Sequence, residues 1–553
     1  MKLKIVAMLI AIACSSTVFA EGYKVTNIIY TIEGKTKEYA LDRNLDINKH
    51  KVFATKDDFD VFLEDLKKRL DSNRIFKETS VEATFEDASE DEDGIIPVTL
   101  SISAKDTKNR IFLPYPKYKS DDGKFPSGGS AYLKVKDYNF LGLMNTLTMA
   151  LSVELETENE GEPMDKTFGL SFDYDLPFSV DPFKLTWEND FSIDYTIGDS
   201  APEYDITTGF DIKLPFDIFA LDLELKQSVT RNEDYIEYGD AIYFTEFEKF
   251  SIPITIGEIE NWGKVTYSPF ISATQYWDKN GISIDNESLR GLETKFGHTI
   301  SSSRIDWNGN FRNGASVSVE QSYIYNSYNR ALTPYYEGEL KIFLASKYAG
   351  LAMRFLTFQN VQTYSNSGMT GKKIGDELRG IRDSQKFDDD YWTDGEENEV
   401  YKASPYALKT PAALIFNFDF PIKVFTTDWM SLREKIITGF FMPVFHTSDD
   451  PLIMKPFKIL KDLDFELQFS PFVDVGLTYN RATKKQYSLR DGFYAGGLEM
   501  LVYPAKFRSI VVRTSFGVDI GRKIFKNKLD LDTDWRRTST STWEAYIGLG
   551  LHY

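Results

Sequence analysis

The sequence is almost free of cysteine. Its single cysteine, Cys14, lies within the first twenty residues. Lys2 and Lys4 precede an apolar run, and small residues stand at the −3 and −1 positions of a cut after Ala20, which is the pattern of a secretory signal peptide. We therefore expect a signal peptide over residues 1–20 and a mature chain without disulfide bonds or thiol chemistry. A lipoprotein signal with Cys14 as the lipid-carrying residue is the alternative.

Long hydrophobic runs and enzyme motifs are also missing. Beyond residue 20 no stretch approaches the roughly 20 apolar residues that a membrane helix needs. The histidines are scattered without metal-ligand spacing, and we find neither a nucleophile elbow nor a phosphate-binding loop. We expect no enzymatic activity, no metal and no other cofactor. The net charge of −20 argues against a nucleic-acid partner. The histidines are His50, His298, His446 and His552.

Aromatic residues, by contrast, are abundant: the chain has 31 Tyr and 42 Phe. From about residue 125 onwards, apolar and polar residues alternate in repeated runs, which is the period of a β-strand with two different faces. Examples are residues 147–156, 168–176 and 219–225, each about as long as a tilted strand that crosses a bilayer. Aromatic girdles at both membrane interfaces account for the composition of such a barrel.

The last alternating run extends from Trp543 to Tyr553, with both aromatic residues on its apolar face and Gly548 and Gly550 on the other. We expect this run to be the strand that closes a barrel. Because lipid offers no hydrogen bonds to the backbone, membrane strands must close on themselves. The pattern therefore favours a mainly β protein, with a transmembrane antiparallel barrel over residues 125–553, above a soluble β-sandwich or β-helix.

Three evenly spaced prolines suggest where strands end. Pro177, Pro215 and Pro253 each follow or interrupt an alternating run, and proline has no N–H to give to a sheet. We expect them to mark short turns on one side of the membrane. At about 27 residues for each strand with its loop, the barrel would have about 16 strands, an even number.

Residues 22–106 have a different pattern. A β-rich run over residues 23–32 precedes a helix for which Thr55 is the expected N-cap, with Asp58 three residues later. Two alternating strands follow, joined by the acidic loop 86–93, which is a solvated hairpin loop or, alternatively, a calcium site. The order strand, short helix, helix, strand, strand predicts a small α+β domain, with residues 107–124 as a linker. The helix has one apolar face, formed by Phe59, Phe62, Leu63, Leu66 and Leu70.

Several short motifs carry a family resemblance. Asn73-Arg74-Ile75-Phe76 after the helix resembles the POTRA domain, the polypeptide-transport-associated module. Four segments follow one another in the sequence. They are the proline-rich passage 112–116 upstream of the expected barrel and, within it, the D-x-N-hydrophobic-hydrophobic-G segment with Asp137, Asn139 and Gly142, the R-G tip Leu378-Arg379-Gly380-Ile381, and Phe472-Val473-Asp474-Val475-Gly476. They resemble motifs of the BamA/TamA superfamily of outer-membrane assembly and transport barrels. The spacing of Gly496, Gly497, Pro504, Arg513 and Gly517 resembles the penultimate strands of that superfamily.

The resemblance implies that the R-G tip, on a long loop, folds back into the barrel. Arg379 would then pair with Asp474, whose neighbours in the alternation place it on the inner face. The family adds a glutamate on the preceding strand, where this chain has Asn417, and Asp419 on the same face can substitute for it. Ile381 stands where the family has an aromatic residue. The alternative is a solvated arginine in an outer loop, as we expect for the similar triplet at Leu289-Arg290-Gly291.

The resemblance also implies a function. The chain would be an outer-membrane protein of a diderm bacterium, with its N-terminal domain in the periplasm, that helps to insert or translocate proteins. Its partners would be lipid, unfolded or secreted clients, and periplasmic proteins bound through the POTRA domain. The first strand, expected near residues 131–136, would meet the last at a seam where clients pair. A dedicated two-partner secretion transporter and a passive pore or surface protein are the alternatives. The acidic stretch 388–397 is expected to be solvated, and a cation site is the alternative.

Overall fold

The computed structural model describes residues 22–553 with several gaps. The signal-peptide prediction, the acidic loop 86–93 beyond its first residue and most of the acidic stretch 388–397 fall outside the described residues. The chain divides into two units, one of residues 1–108 with 139–144 and the other of residues 109–138 with 145–553. The gaps are residues 87–94, 120–127, 157–163, 217, 232–241, 260–261, 283, 285–288, 361–373, 375–376, 382–390, 395–397, 402–409, 442–462, 481–484, 490–491 and 522–542.

The first unit is a four-stranded sheet with two helices, in the order that the sequence predicts apart from one extra two-residue strand. The strands lie in the order β2-β1-β4-β3, with β1 parallel to β4 and β3 antiparallel to it. A 3-10 turn over Phe140–Gly142 belongs to the same unit. The elements are β1 (Gly22–Glu33), α1 (Glu38–Leu45), β2 (Val52–Phe53), α2 (Lys56–Ser72), β3 (Phe76–Phe85) and β4 (Ile95–Asp106).

Helix α2 begins and packs as the sequence predicts. Thr55 is its N-cap, and the Thr55 hydroxyl accepts a hydrogen bond from the Asp58 N–H at 3.1 Å. The apolar face of the helix then contacts the sheet, with Phe59, Leu66 and Leu70 fully buried against strand residues such as Leu100. None of the helices among the described residues is long and apolar enough to cross a lipid bilayer.

The second unit is a closed antiparallel β-barrel, which confirms the predicted fold class. The described residues form 18 strands, two more than the estimate of about 16. Two of these strands are interrupted, so that β12 with β13, and β21 with β22, each form one strand. The two-residue β24 pairs only with the end of β23 and is not counted. The barrel elements are β5 (Arg110–Lys119), β6 (Gly128–Asp137), β7 (Leu147–Glu156), β8 (Asp165–Val180), β9 (Phe183–Thr196), β10 (Glu203–Pro215), β11 (Ala220–Arg231), β12 (Ile242–Ser251), β13 (Ile254–Ile259), β14 (Gly263–Trp277), β15 (Glu293–Asn308), β16 (Phe311–Asn326), β17 (Ala331–Ala345), β18 (Gly350–Asn360), β21 (Ala412–Asp419), β22 (Ile422–Thr426), β23 (Phe465–Asn480), β24 (Lys485–Gln486), β25 (Phe493–Pro504), β26 (Val512–Asp519) and β27 (Trp543–Leu549).

Three further elements lie outside the wall. The strands β19 (Tyr391–Asp394) and β20 (Asn398–Tyr401) form a separate two-stranded sheet. Helix α3 (Trp429–Ile436) follows β22 and continues as a π-helical turn over Ile437–Phe441.

The first barrel strand lies earlier in the sequence than predicted. Residues 110–119, expected to belong to a linker, form β5, which pairs with β6 along its whole length. The run near residues 131–136 is therefore the second strand. Pro114 and Pro116 led to the wrong prediction, because prolines are rare in central strands. Here they are tolerated because β5 is a barrel end strand, whose contact with β27 is much smaller than that between other neighbouring full-length strands.

Two of the three proline predictions also need correction. Pro177 lies inside β8 and does not end it. At this point β8 pairs only with β9, because its pairing with β7 ends at Tyr174, so the edge of β8 that faces β7 needs no N–H there. Pro253 lies between β12 and β13, which both pair with β14, and it therefore interrupts a strand instead of ending one. Pro215 does end its strand, β10.

The closing strand is shorter than predicted. It ends at Leu549, and Gly550 adopts a left-handed conformation with φ of +90°. Residues Gly550–Tyr553, the tail, then turn away from the sheet. The Tyr553 hydroxyl donates to the Ala352 carbonyl at 2.9 Å, and Arg312 donates to the main-chain oxygen of Tyr553. Tyr553 therefore lies inside the barrel and not on the apolar face that the alternation suggested.

The two faces of the wall differ in polarity. Five side chains of the inner face are in register with one another, and four of them are polar. They belong to the neighbouring strands β18, β21, β23, β25 and β26. They are Arg354, Asn417, Asp474, Ala495 and Asp519. The outer face carries large exposed apolar side chains, among them Leu151, Phe168, Trp187, Phe210, Ile271, Phe296, Ile300, Val319, Val473 and Phe516. A polar interior and an apolar exterior are the reverse of a soluble barrel.

Tyr30 provides a test of the first unit. Its hydroxyl donates to Asp42 Oδ1 at 2.7 Å, and burial together with this hydrogen bond raises the pKa of Tyr30 above its ordinary value. A raised pKa adds stability below the ordinary value, and this stability is lost as the pH rises through the folded-state value. We expect Tyr30→Phe to destabilise the unit by about 1.5–3 kcal/mol at neutral pH. Hydrogen exchange of β1 and α1 peptides in the full chain measures this.

The same experiment has a pH control. Hydrogen exchange corrected for its intrinsic pH dependence should show the difference between wild type and Tyr30→Phe shrinking above the ordinary pKa of tyrosine. A difference that stays constant over that range would contradict the assignment.

Candidate functional site

The R-G tip of the long loop, residues Leu378–Ile381, lies against the inner face of the barrel. Arg379 donates to Asp474 three times: its backbone N–H and Nε reach Oδ2 at 2.9 Å each, and Nη2 reaches Oδ1 at 2.7 Å. The arginine side chain is 6% exposed and the aspartate side chain 0%. This is a bidentate, charge-assisted pair shielded from water, in which geometry and charge both favour arginine over lysine.

Two more carboxylates face the guanidinium. Arg379 Nη1 donates to Asp419 Oδ1 at 2.6 Å and lies 3.2 Å from Glu499 Oε1. The ring of Phe472 stacks on the guanidinium at 3.9 Å. Asp419 is thus in the position that the sequence suggested, whereas Glu499 and Phe472 were missed as contacts. The alternation of inward and outward side chains along a strand could have predicted both contacts. Phe472 is on the same face of β23 as Asp474, and Glu499 is on the same face of β25 as Gly497.

Asn417 is in contact with the same group, although it cannot supply a charge. Its Nδ2 donates to Asp474 Oδ1 at 2.9 Å and to the Glu377 carbonyl at 2.8 Å. It therefore orients the aspartate and holds the backbone just before the tip. The charge that a glutamate would bring at this position comes instead from Asp419, two residues further along the same strand face.

Apolar side chains on both sides of Arg379 fix the depth of the tip. Leu378 and Ile381 are 2% and 1% exposed and pack among residues of β17, β18, β21 and β25, including Phe358 and Phe493. Gly476 leaves room for Leu378, because a Cβ at this glycine would lie 2.9 Å from Leu378 Cδ1. Ile381 is part of the same buried cluster.

Gly380 makes the closest approach to the wall. Its φ is +77°, and a Cβ there would lie 2.6 Å from the Val518 nitrogen and 2.7 Å from the Gly517 carbonyl carbon. The Gly380 N–H donates to Glu544 Oε2 at 3.1 Å, so the tip contacts β26 and β27 at the same point. Only two facing glycines permit this separation of the two backbones.

Ion pairs extend from the tip in two directions. On one side, Arg354 pairs with Glu377 in the loop and with Glu339, 2.6 Å away on β17. Arg354 and Glu377 also line a cavity of about 330 Å³, together with Glu320, Glu337 and Glu339. On the other side, Arg513 lies 3.2 Å from Glu499 and stacks on Tyr546 of β27, 4.9 Å from the ring centroid. The tip therefore links the β17–β18 wall to the closing strand.

The D-x-N segment is divided between the two units. Asp137 is buried at the end of β6 and accepts a hydrogen bond from Arg110 of β5. Within the first unit, Asn139 Nδ2 donates to the Thr36 hydroxyl at 2.7 Å, and the Gly142 carbonyl accepts from the Lys37 N–H at 2.9 Å. The segment belongs to the second hairpin turn, between β6 and β7, and not to the first strand.

The remaining predicted residues lie in or after the closing strand. Trp543 stacks on Phe516 of β26 with the ring centroids 6.0 Å apart. Gly548 pairs with Arg513, and Gly550 ends the strand as described above. Among the residues that the structure describes, no group of three or more His, Cys, Asp or Glu side chains could hold a metal ion. The polar side chains that hold Arg379 are Asp474, Asp419 and Glu499, and together they fix the tip of the loop to the wall.

No family model matches the sequence, and no curated protein does either. Solved structures similar to this chain include BamA from Haemophilus ducreyi lacking POTRA domains 1–3, with 12% identity, a TM-score of 0.36 and coverage of 95% of this chain and 84% of that one. CdiB from Acinetobacter baumannii has 12% identity, a TM-score of 0.41 and coverage of 90% and 70%. CdiB from Escherichia coli has 6% identity, a TM-score of 0.39 and coverage of 97% and 91%.

Replacement of Arg379 tests the tip. Arg379→Ala leaves the buried Asp474 and Asp419 without the cation that they bind, and we expect a loss of about 3–5 kcal/mol of unfolding free energy. Arg379→Lys keeps the charge but not the paired hydrogen bonds, so its loss should be intermediate. The readouts are urea unfolding in detergent and the fraction of heat-modifiable folded protein on gels.

Arg290 is the matched control, because it sits in the same Leu-Arg-Gly triplet elsewhere in the chain. It donates to the Ile284 carbonyl and stacks on the exposed Tyr328. Arg290→Ala should change stability little. Equal losses from the two alanine variants would show that Arg379 holds nothing specific.

Gly380→Ala tests the close approach separately from the charge. We compare it with Gly309→Ala in the β15–β16 turn, where φ is +62° and a Cβ would meet nothing within 4 Å. Both variants carry the cost of a left-handed alanine, roughly 1 kcal/mol, and Gly380→Ala adds a clash with backbone that cannot yield. The difference in unfolding free energy between the two variants measures the contact. If both lose the same amount, the tip does not touch β26 as described.

Proposed function

We propose that this chain is an outer-membrane barrel of the BamA/TamA superfamily that assists the insertion or translocation of other proteins. The observation that carries the proposal is the tip. A buried Arg379 bound by Asp474 on the barrel wall is the arrangement that the sequence resemblance implies. The proposal assigns no catalytic chemistry to the chain.

The placement in a membrane rests on the wall itself. Its outer face carries large exposed apolar side chains, its inner face carries buried charged ones, and the closed barrel leaves few backbone groups unpaired. Strands of about ten residues or more are long enough to cross the hydrocarbon core at a tilt. We assign the chain to the outer membrane of a diderm bacterium, with the first unit, as a single POTRA domain, in the periplasm.

The seam between β5 and β27 supports a role in handling strands. The two strands are neighbours, but their contact is the weakest among adjacent full-length strands. Gly548 contributes no side chain to β27, and the strand ends at Leu549. A seam of this kind can expose an edge to which a client strand adds by main-chain hydrogen bonds.

The first unit offers a second edge. Within the described residues β1 pairs with β2 only at Tyr23 and Lys24, so the remainder of β1 is open on that side. An extended segment of a client or of a periplasmic partner protein could add to the sheet there.

Photocrosslinking tests the client role. A photoreactive residue in place of Phe112 on β5 or Ile547 on β27 should capture newly secreted barrel proteins in cells. Phe296 on β15 is the control, because it is 42% exposed on the outer face but far from the seam in strand order. Equal capture at all three positions would mean that the seam has no special role.

Depletion of the protein in cells then distinguishes the proposed assembly role from the two alternative functions. A general loss of outer-membrane proteins supports an assembly role. Loss of one secreted protein would point instead to a dedicated secretion transporter. If neither changes and the purified chain conducts ions in planar bilayers, the chain is a passive pore.

A further inference from the structure

One connection of the barrel contains a helix that the proposed function does not use. Helix α3 begins directly after β22, at the barrel end where other strands are joined by short turns such as Gly309 and Asn310 between β15 and β16. Asp428 caps the helix by accepting from the Ser431 N–H at 2.9 Å. None of the residues of α3 is buried.

Hydrogen bonds fix the start of α3 to the wall. The Trp429 N–H donates to Asp464 Oδ1 at 3.0 Å, and its indole N–H donates to the Leu463 carbonyl at 3.3 Å. The Thr427 N–H donates to the Phe465 carbonyl at 2.8 Å, at the first residue of β23. The helix therefore begins at the rim of the barrel.

The sequence of α3 and of the π-helical turn after it is amphipathic. At about 3.6 residues per turn, five apolar residues fall on one side and four polar residues on the other. Arg433 falls among the apolar residues, where its long side chain can cover apolar surface while its charged end reaches the headgroups. Met430 and Leu432, on the apolar side, are 36% and 42% exposed. The apolar residues are Trp429, Met430, Leu432, Ile436 and Ile437; the polar ones are Ser431, Glu434, Lys435 and Thr438.

The apolar side of α3 continues an apolar surface of the wall. Ile422, Val424 and Phe425 of β22, the residues just before the helix, are 48%, 50% and 44% exposed. Ile422 is in register with Phe469, which is 37% exposed on the outer face. The outer apolar face thus extends to Phe425, four residues before the first residue of the helix.

We propose that α3 lies on the lipid surface, along the boundary between headgroups and acyl chains in the leaflet at that end of the barrel. An amphipathic helix with tryptophan and leucine on one side and lysine on the other fits this boundary. Lys435 then faces the anionic phosphates, and Leu432 faces the acyl chains. The inference rests on the membrane placement proposed above, but not on any role in protein assembly.

Fluorescence quenching of the full chain in lipid nanodiscs tests the proposal. In a Cys14→Ser background, Leu432→Cys, Lys435→Cys and Val424→Cys each receive an environment-sensitive dye. The nanodiscs contain phosphatidylethanolamine and phosphatidylglycerol with a nitroxide attached near the headgroup or near the acyl-chain end. We expect the dye at residue 432 to lose at least about twofold more fluorescence to the shallow nitroxide than the dye at residue 435.

Each other outcome overturns the proposal in a different way. Equal quenching at residues 432 and 435 by iodide in water would place the helix in solvent. A dye at residue 432 that neither iodide nor the nitroxide lipids quench would mean that protein covers this face, from the same chain or a second copy. If the dye at residue 424 on the wall also escapes the nitroxide lipids, the membrane placement itself is wrong.

Discussion

A guanidinium group withdrawn from water has to be neutralised where it lies, and Arg379 shows what this requires. Asp474 takes two of its side-chain donors and its backbone N–H, while Asp419 and Glu499 face the remaining nitrogen. These carboxylates come from three different strands, which must stand in fixed register for the pairs to form. The tip, the register of β21, β23 and β25, and the close packing at Gly517 are all consequences of burying one charge inside the barrel.

The same division of polarity governs the whole wall. Alternation places one set of side chains inside and the other outside, so a one-residue shift of any strand would exchange buried charges for apolar groups. Asn417 and Asp474 show that the inner face needs polar side chains, since both are fully buried and each contacts the tip region. Val473, the residue before Asp474 on β23, is 44% exposed on the other face. The barrel therefore has a polar core and an apolar exterior, as a lipid solvent demands.

Periodicity and motifs predict much of this arrangement, and the failures have identifiable physical reasons. The alternating runs predicted the barrel, and the Thr55 cap predicted the start of α2 to the residue. The R-G tip pointed to Arg379 and Asp474, which the structure brings into contact. In contrast, β5 was hidden by Pro114 and Pro116, whose lack of an N–H matters little in a strand beside the seam. The inward turn of Tyr553 depends on Arg312 and Ala352, which lie about 200 residues away in the chain and leave no local signal.

The contact between Gly380 and the backbone of Gly517 and Val518 also bears on the order of folding. Its two partners are separated by well over a hundred residues, and the second belongs to one of the last strands of the chain. Loop closure over such a distance is slow and costs entropy before any contact repays it. The tip therefore cannot reach its final position until β26 has joined the wall. Docking of the tip at Gly517 is then a late step in formation of the barrel. A chain stalled before that step would lack this glycine contact and the hydrogen bond from the Gly380 N–H to Glu544.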